Sequence, residues 1–275
     1  MPIRWRHIQA LPTCPTVPSR RRPKPMLWHA SAINGYRIEA TDGSLGTVRD
    51  LLFDDQSWTI RWLVVDTGDW LPGREVLLPT SALGIPSIAL RTLPVRLTRQ
   101  QVEDAPGAEA DLPVSRQMEG HLANHYGANG YQPRGNAYLS PLIGFPSPTE
   151  PAERFEGDEI VANTGDSHLR STANVTGYHI RATDGDIGHV EDFIFDDASW
   201  RIIYLGVDTN NWWPDSRVLI LPQMVREVDW SNSLLHIHAT QQKVRDAPAA
   251  SKAVTVDDTY AQAISAYYGL GLFAV

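Results

Sequence analysis

The residues best suited to chemistry in this sequence come in pairs. Asp50, Asp54, Asp55 and Asp66 are each followed 142 residues later by another aspartate: Asp192, Asp196, Asp197 and Asp208. Carboxylates in such number could supply oxygen ligands to a hard cation. Their spacing matches no calcium loop, however, and aspartates in strand-ending turns ordinarily accept hydrogen bonds from nearby backbone amides. His236 and His238 are placed to share one face of a strand, with His168 and His189 elsewhere in the same half. Two such histidines can ligate zinc, but no third ligand can be placed. Ser57 and Ser199 precede tryptophans in turns and have no identifiable base. The sequence therefore assigns no catalytic residue, no metal and no cofactor.

The pairing has a simple origin. Gly35–Pro72 and Gly177–Pro214 are identical at 22 of 38 aligned positions, at a constant offset of 142. A period this long denotes two copies of one domain, since solenoid repeats are about 20–50 residues. The resulting division is a basic leader at 1–25, a first copy with its tail helix at 26–127, a linker at 128–163, and a second copy with its tail helix at 164–275. The leader is proline-rich and acid-free, which predicts disorder; Met26 is an alternative start.

Each copy must place its aspartates on short strands. Gly35–Ala40 reads as a strand, and Asp42-Gly43 as a tight hairpin turn. Leu45–Phe53 returns, with Gly46 marking a bulge or bend. Asp54-Asp55-Gln56-Ser57 makes the next turn. Trp58–Asp66 comes after it, and strict alternation puts Trp58, Ile60, Trp62 and Val64 on one face. Leu63 and Val65 then lie on the other, which needs its own cover. Thr98 with Gln101 forms a helix-capping box, and Pro106 keeps that helix short. Val114–Gly127 and Val256–Gly269 carry helical spacing and are expected to pack as tail helices, over Leu63 and Val65 in the first copy. Many short strands with frequent turns indicate small closed or nearly closed β-barrels. The fold class is thus mainly β: two tandem barrels, each followed by short helices, packed about a pseudo-twofold axis.

Composition bounds the partners. The leader holds six of the 24 basic residues; the remaining 18 face 32 acidic ones, a net charge of −14. Such a body repels nucleic acid. No apolar run has the roughly 18–20 residues of a membrane span. The single cysteine, Cys14, lies in the leader, so no disulfide contributes to the fold; this is consistent with a cytoplasmic setting.

The run G-Y-x-I-x-A-T-D-G-x-[IL]-G-x-V-x-D-x-[IL]-F-D-D, with its tryptophan strand and V-D-T, resembles the PRC-barrel domain. That barrel occurs in the photosynthetic reaction-centre H subunit and in the C-terminal half of a small-subunit ribosome maturation factor. Met26-Leu27-Trp28, Ser115-Arg116-Gln117 with Glu119, His125-Tyr126-Gly127, His168–Thr172 and Trp212-Trp213-Pro214 resemble the bacterial subgroup with two tandem copies. The H subunit's membrane helix and the maturation factor's RNA-side domain have no counterpart here, so neither partner carries over. The resemblance implies an adaptor or assembly role without catalytic residues.

Trp70, Trp212 and Trp213 lie beside turn residues, either as a lid on the barrel end, the blander role, or as a partner hot spot. With His168, Arg170 and Tyr268 they form the candidate partner-binding set. The function expected is a non-enzymatic scaffold for an unidentified protein partner, with homodimerisation open. Other readings are a ribosome- or RNA-associated maturation factor, a metal- or small-ligand-binding protein, and a reaction-centre-like accessory protein.

Overall fold

A computed structural model describes residues 26–68, 70–106, 116–127, 168–209, 217–248, 255–256 and 258–269. The leader and the linker lie outside the described residues. The first copy runs β1 (Leu27–His29), α1 (Ala30–Ile33), β2 (Arg37–Ala40), β3 (Gly43–Asp54), β4 (Thr59–Asp66), β5 (Glu75–Pro79), β6 (Thr92–Pro94), α2 (Arg99–Glu103) and α3 (Arg116–His125). The second runs β7 (Leu169–Ser171), α4 (Thr172–Val175), β8 (His179–Ala182), β9 (Gly185–Asp196), β10 (Ile202–Asp208), β11 (Arg217–Ile220), β12 (Val225–Asp229), β13 (Leu234–Ile237), α5 (Gln241–Arg245), β14 (Thr255–Val256) and α6 (Asp258–Tyr267).

Two sheets result, ordered β5-β4-β3-β2-β6 and β11-β10-β9-β8-β13-β12. Neither closes through a ladder among the described residues. The ends are joined by the chain instead: β11 turns through Pro222–Met224 directly into β12. In the first copy Thr80–Ala82 makes the same turn, and Leu83 bridges to Val95 beyond β6. Gly46 lets β3 bend, with φ +132 and no room for a Cβ against the carbonyl of Asp66; Gly188 repeats this against Asp208. The capping box on α2 is present, with Gln101 N donating to Thr98 Oγ1 and Thr98 N to Gln101 Oε1.

The copies exchange their first strands. β7 of copy two pairs with β3 of copy one, Phe53 opposite Arg170; β1 of copy one pairs with β9 of copy two, Trp28 opposite Phe195. His168–Thr172 is therefore no feature special to copy two, since Met26–Ala30 fills the same place on the opposite sheet. At the axis, Ile60 N donates to Trp200 O and Ile202 N to Trp58 O, both at 2.8 Å. Phe53 meets Phe193 at 5.3 Å, and a single buried cluster runs through both sheets.

Alternation along β4 gives the wrong faces. Trp62 pairs with Leu52 and Ile60 with Phe53, so Arg61 is an extra, bulged residue. A bulge inverts the facing of every later residue in its strand. Ile60, Leu63 and Val65 consequently enter the shared core, while Trp62 and Val64 face the other way. The tail helix α3 covers these latter two through Leu122, not Leu63 and Val65 as strict alternation predicts. Ile203 is the corresponding bulge in β10, leaving Tyr204 under α6 and Ile264. Trp58 is no strand residue: it sits at φ +53 in the turn, stacked on Phe53 at 5.5 Å. Trp200 does the same on Phe195 at 5.1 Å.

Candidate functional site

The repeated aspartates divide into two roles. Asp54 Oδ1 accepts from Gln56 N, Ser57 N and Ser57 Oγ, closing its own turn. Burial opposes its ionisation, but those bonds, with Arg61 at 2.9 Å from Oδ2, hold its pKa below the ordinary value. Asp196 caps its turn in the same way. These are the turn bonds the sequence predicts.

Asp50 and Asp192 do something that local sequence does not announce. Arg49 and Glu191 are bulged residues, and each bulge leaves the following aspartate buried at the seam between copies. Asp50 accepts from Ser171 Oγ, Thr172 Oγ1 and Ala173 N. Asp192 accepts from Ser31 N and Oγ at 3.1 and 2.5 Å, and lies 2.9 Å from His29 Nδ1. Burial pushes its pKa up, yet these bonds from His29 and Ser31 prevail and depress it. Asp55 and Asp197 complete the clasp. Asp55 holds His168 Nδ1 at 3.1 Å and Arg170 Nε at 2.8 Å; Asp197 takes Met26 N at 2.9 Å and Trp28 Nε1 at 3.1 Å. Two aspartates thus tie each lead-in strand onto the opposite copy, four in all.

This accounts for His168 and Arg170, which bind Asp55 within the chain; the Arg170 guanidinium also lies 4.0 Å from the centroid of Trp230. Trp70 is half-buried against the shared core beneath Arg99, 4.7 Å from its ring. Tyr268 packs on the Tyr204 cluster at the end of α6, and burial raises its hydroxyl pKa. Trp212 and Trp213 lie outside the described residues. Of the four candidates among the described residues, His168 and Arg170 meet at Asp55, while Trp70 and Tyr268 pack on different clusters. Of the histidines, His179 and His189 meet across β8 and β9 with ring centroids 4.5 Å apart and planes tilted by 47°. Among the described residues no three His, Cys, Asp or Glu side chains gather as a metal site.

A surface that the sequence reading passed over lies at the tip of the hairpin leading into β6. Ser87 and Thr92 bond reciprocally through their backbones, Pro86 is buried beneath, and Arg91 takes φ +50 to close the turn. The tip then presents Ile85, Ile88 and Leu90, which are 53, 46 and 70% exposed. Large exposed hydrophobics are otherwise represented, among the described residues, by Met26 alone. Arg37 and Arg91 rim the tip, Arg91 lying 5.2 Å from the Tyr36 ring. At the 142-residue offset copy two carries Glu227, Trp230 and Asn232 instead. The signal was available as Gly84–Leu90, an apolar run around a proline where a polar turn is normal.

Comparison with known proteins agrees with the resemblance drawn from the motifs. Residues 29–92 match the family model of the PRC-barrel domain, and over those residues the chain carries that domain. Copy two lies outside the matched residues and is related to copy one by the internal repeat and the shared strand order. A relative in Deinococcus radiodurans, described only as an uncharacterized protein, is 33% identical over 89 residues. The alignment covers 32% of this chain and 29% of that relative. No helix among the described residues is long and apolar enough to cross a membrane.

Proposed function

We propose that this protein is a non-enzymatic adaptor, in which two PRC-type barrels act as one rigid body and dock a protein partner through the first copy's hairpin tip. The observation behind this reading is the exposed triplet Ile85, Ile88 and Leu90, where copy two has Glu227, Asn232 and a Trp230 packed on the core beneath Arg170. Contiguous exposed apolar side chains mark interaction sites more often than scattered ones. The arginine rim in an otherwise acidic body fits a partner whose apolar pocket has an acidic border. No chemistry is required of the repeated aspartates, because they hold the scaffold together.

The test is an affinity pulldown of the full-length protein from its host, alongside Ile88→Glu/Leu90→Glu and Trp212→Ala/Trp213→Ala variants. Loss of a partner from the hairpin variant alone supports the reading. Identical partner sets for wild type and hairpin variant refute it. Being surface changes, the hairpin substitutions should alter stability by only about 0.5 kcal/mol or less.

A further inference from the structure

The outer face of copy two carries a pair of histidines that copy one does not have. His179 on β8 stands directly opposite His189 on β9. His179 N donates to Ser233 O at 2.9 Å, on the β13 side of its strand. The two histidines are therefore a non-hydrogen-bonded pair, the kind in which cross-strand side chains approach most closely. Their neighbours Ile180 and Val190 enter the core, which turns both imidazoles outward. His179 is exposed and His189 half-buried, so a solute can reach the pair. The ring centroids lie 4.5 Å apart, with planes tilted by 47°. Two imidazoles bound side by side to one ion, about 2.0–2.1 Å from each nitrogen, have centroids about 4.5–5 Å apart. The pair has the separation of a chelate without movement of either strand.

The surroundings suit a cation. Asp208 on β10 is the partner of His189 in the next ladder, on the same face. Asp186 lies near His179 and accepts from Arg181 Nε at 2.7 Å, which offsets that guanidinium. Copy one keeps the carboxylate, as Asp66, but has Arg37 and Thr47 in place of the histidines. A fixed positive charge thus stands there where copy two offers a ligand. The ligand atoms select the ion: imidazole suits copper, nickel and zinc, whereas magnesium and calcium take oxygen. Among the described residues no three His, Cys, Asp or Glu side chains gather, so Asp208 contributes charge and water completes the coordination.

We propose that His179 and His189 chelate a divalent late first-row transition-metal ion, copper(II) most tightly, with nickel(II) and zinc(II) behind it. That order is the general one for nitrogen sites. The ion ties β8 to β9 and stabilises copy two, because only the folded hairpin holds the two rings together. Copy two thereby gains a ligand of its own, apart from the docking tip of copy one.

The experiment titrates full-length protein at pH 7.5, where neutral imidazole is available for ligation, with nickel chloride by calorimetry. Magnesium chloride is the parallel arm, and copper(II) is located by paramagnetic loss of backbone amide signals. His179→Arg and His189→Thr install copy one's own residues and should melt with the metal-free wild type. Each should weaken nickel binding at least tenfold, while His236→Ala/His238→Ala leaves it unchanged. Copper should first erase amide signals around His179 and His189. Wild-type nickel affinity in either single variant overturns the proposal, as does copper broadening confined to residues 1–25, or magnesium binding as tightly as nickel. Should one variant melt early, the other variant and the copper map decide. Failure at this pair leaves the hairpin reading untouched, since the two surfaces share no residue.

Discussion

The two copies share a backbone plan but anchor their tail helices by different chemistry. In copy one Trp62 Nε1 donates at 2.9 Å to Glu119, a residue of α3 itself that is 5% exposed. Arg61, the bulged residue, lies 4.0 Å from the same carboxylate and bonds Asp54 as well. Copy two has Ile203, Tyr204 and Ala261 at these places. Tyr204 donates its hydroxyl to the Ala261 carbonyl at 3.2 Å, within reach of Ser265, and Tyr260 and Tyr267 of α6 donate to the Pro248 and Lys243 carbonyls, both at 2.8 Å. One helix is held by a buried charge, the other by neutral hydroxyl bonds and packing. What is common to both copies is the seam: turn aspartates, clasp aspartates and the stacked tryptophans. The lesson is that identity between the copies reports the duty to fold and join, while divergence reports what each copy does alone.

Removing a shared residue should produce the largest effect, and copy two should suffer more. Trp200 is buried and Trp58 only half so, although both stack on a phenylalanine. Trp200→Ala should destabilise by about 3–5 kcal/mol in denaturant titration, with Trp58→Ala at or below the low end of that range. Equal losses would mean that the two sides of the axis are energetically equivalent.

A middle-sized effect is expected at the clasp, and it should depend on pH. The folded pKa of Asp192 lies below its unfolded value. Its contribution is therefore fully present above the ordinary aspartate pKa and fades as pH falls through that value toward the folded one. Asp192→Asn should remove about 1.5–3 kcal/mol at pH 7 and flatten that acid limb. Glu191 acts in the opposite sense: with its folded pKa raised, its ionisation weakens the fold, and that penalty is relieved as pH falls. An Asp192→Asn protein with an unaltered acid limb would place the pH dependence elsewhere.

The smallest effect separates the two tail helices. Glu119→Ala strands the Trp62 indole N–H and should cost about 1–3 kcal/mol, while Glu119→Gln, which retains an acceptor, should cost less. Helix α6 should be indifferent to both, so its amide hydrogen exchange should follow the global transition only. Early exchange in α6 on Glu119→Ala would show that the helices are coupled.

Much of this architecture was legible because it is local or repeated. The Asp42-Gly43 turn, the Gly46 bend and the Thr98 cap each depend on a few adjacent residues, and the duplication gave the pseudo-twofold pairing. The faces of β4 were not legible, because one bulged residue, Arg61, reverses the alternation and leaves no mark in the sequence pattern. Nor was the clasp: Asp50 and Ser171 are 121 residues apart, and an aspartate that joins copies looks like one that closes a turn.

The strand exchange has a consequence for the order of synthesis. Asp55 waits for Arg170, 115 positions later, and Asp197 must find Met26 across 171. At translation rates of about 5–20 residues per second, the first barrel spends on the order of 6–20 s with the edge beside Phe53 uncovered. Contacts of such long separation also form slowly by themselves. A ribosome-bound chain halted between the copies would therefore display an adhesive strand edge, and two such chains side by side could each offer the other the missing strand.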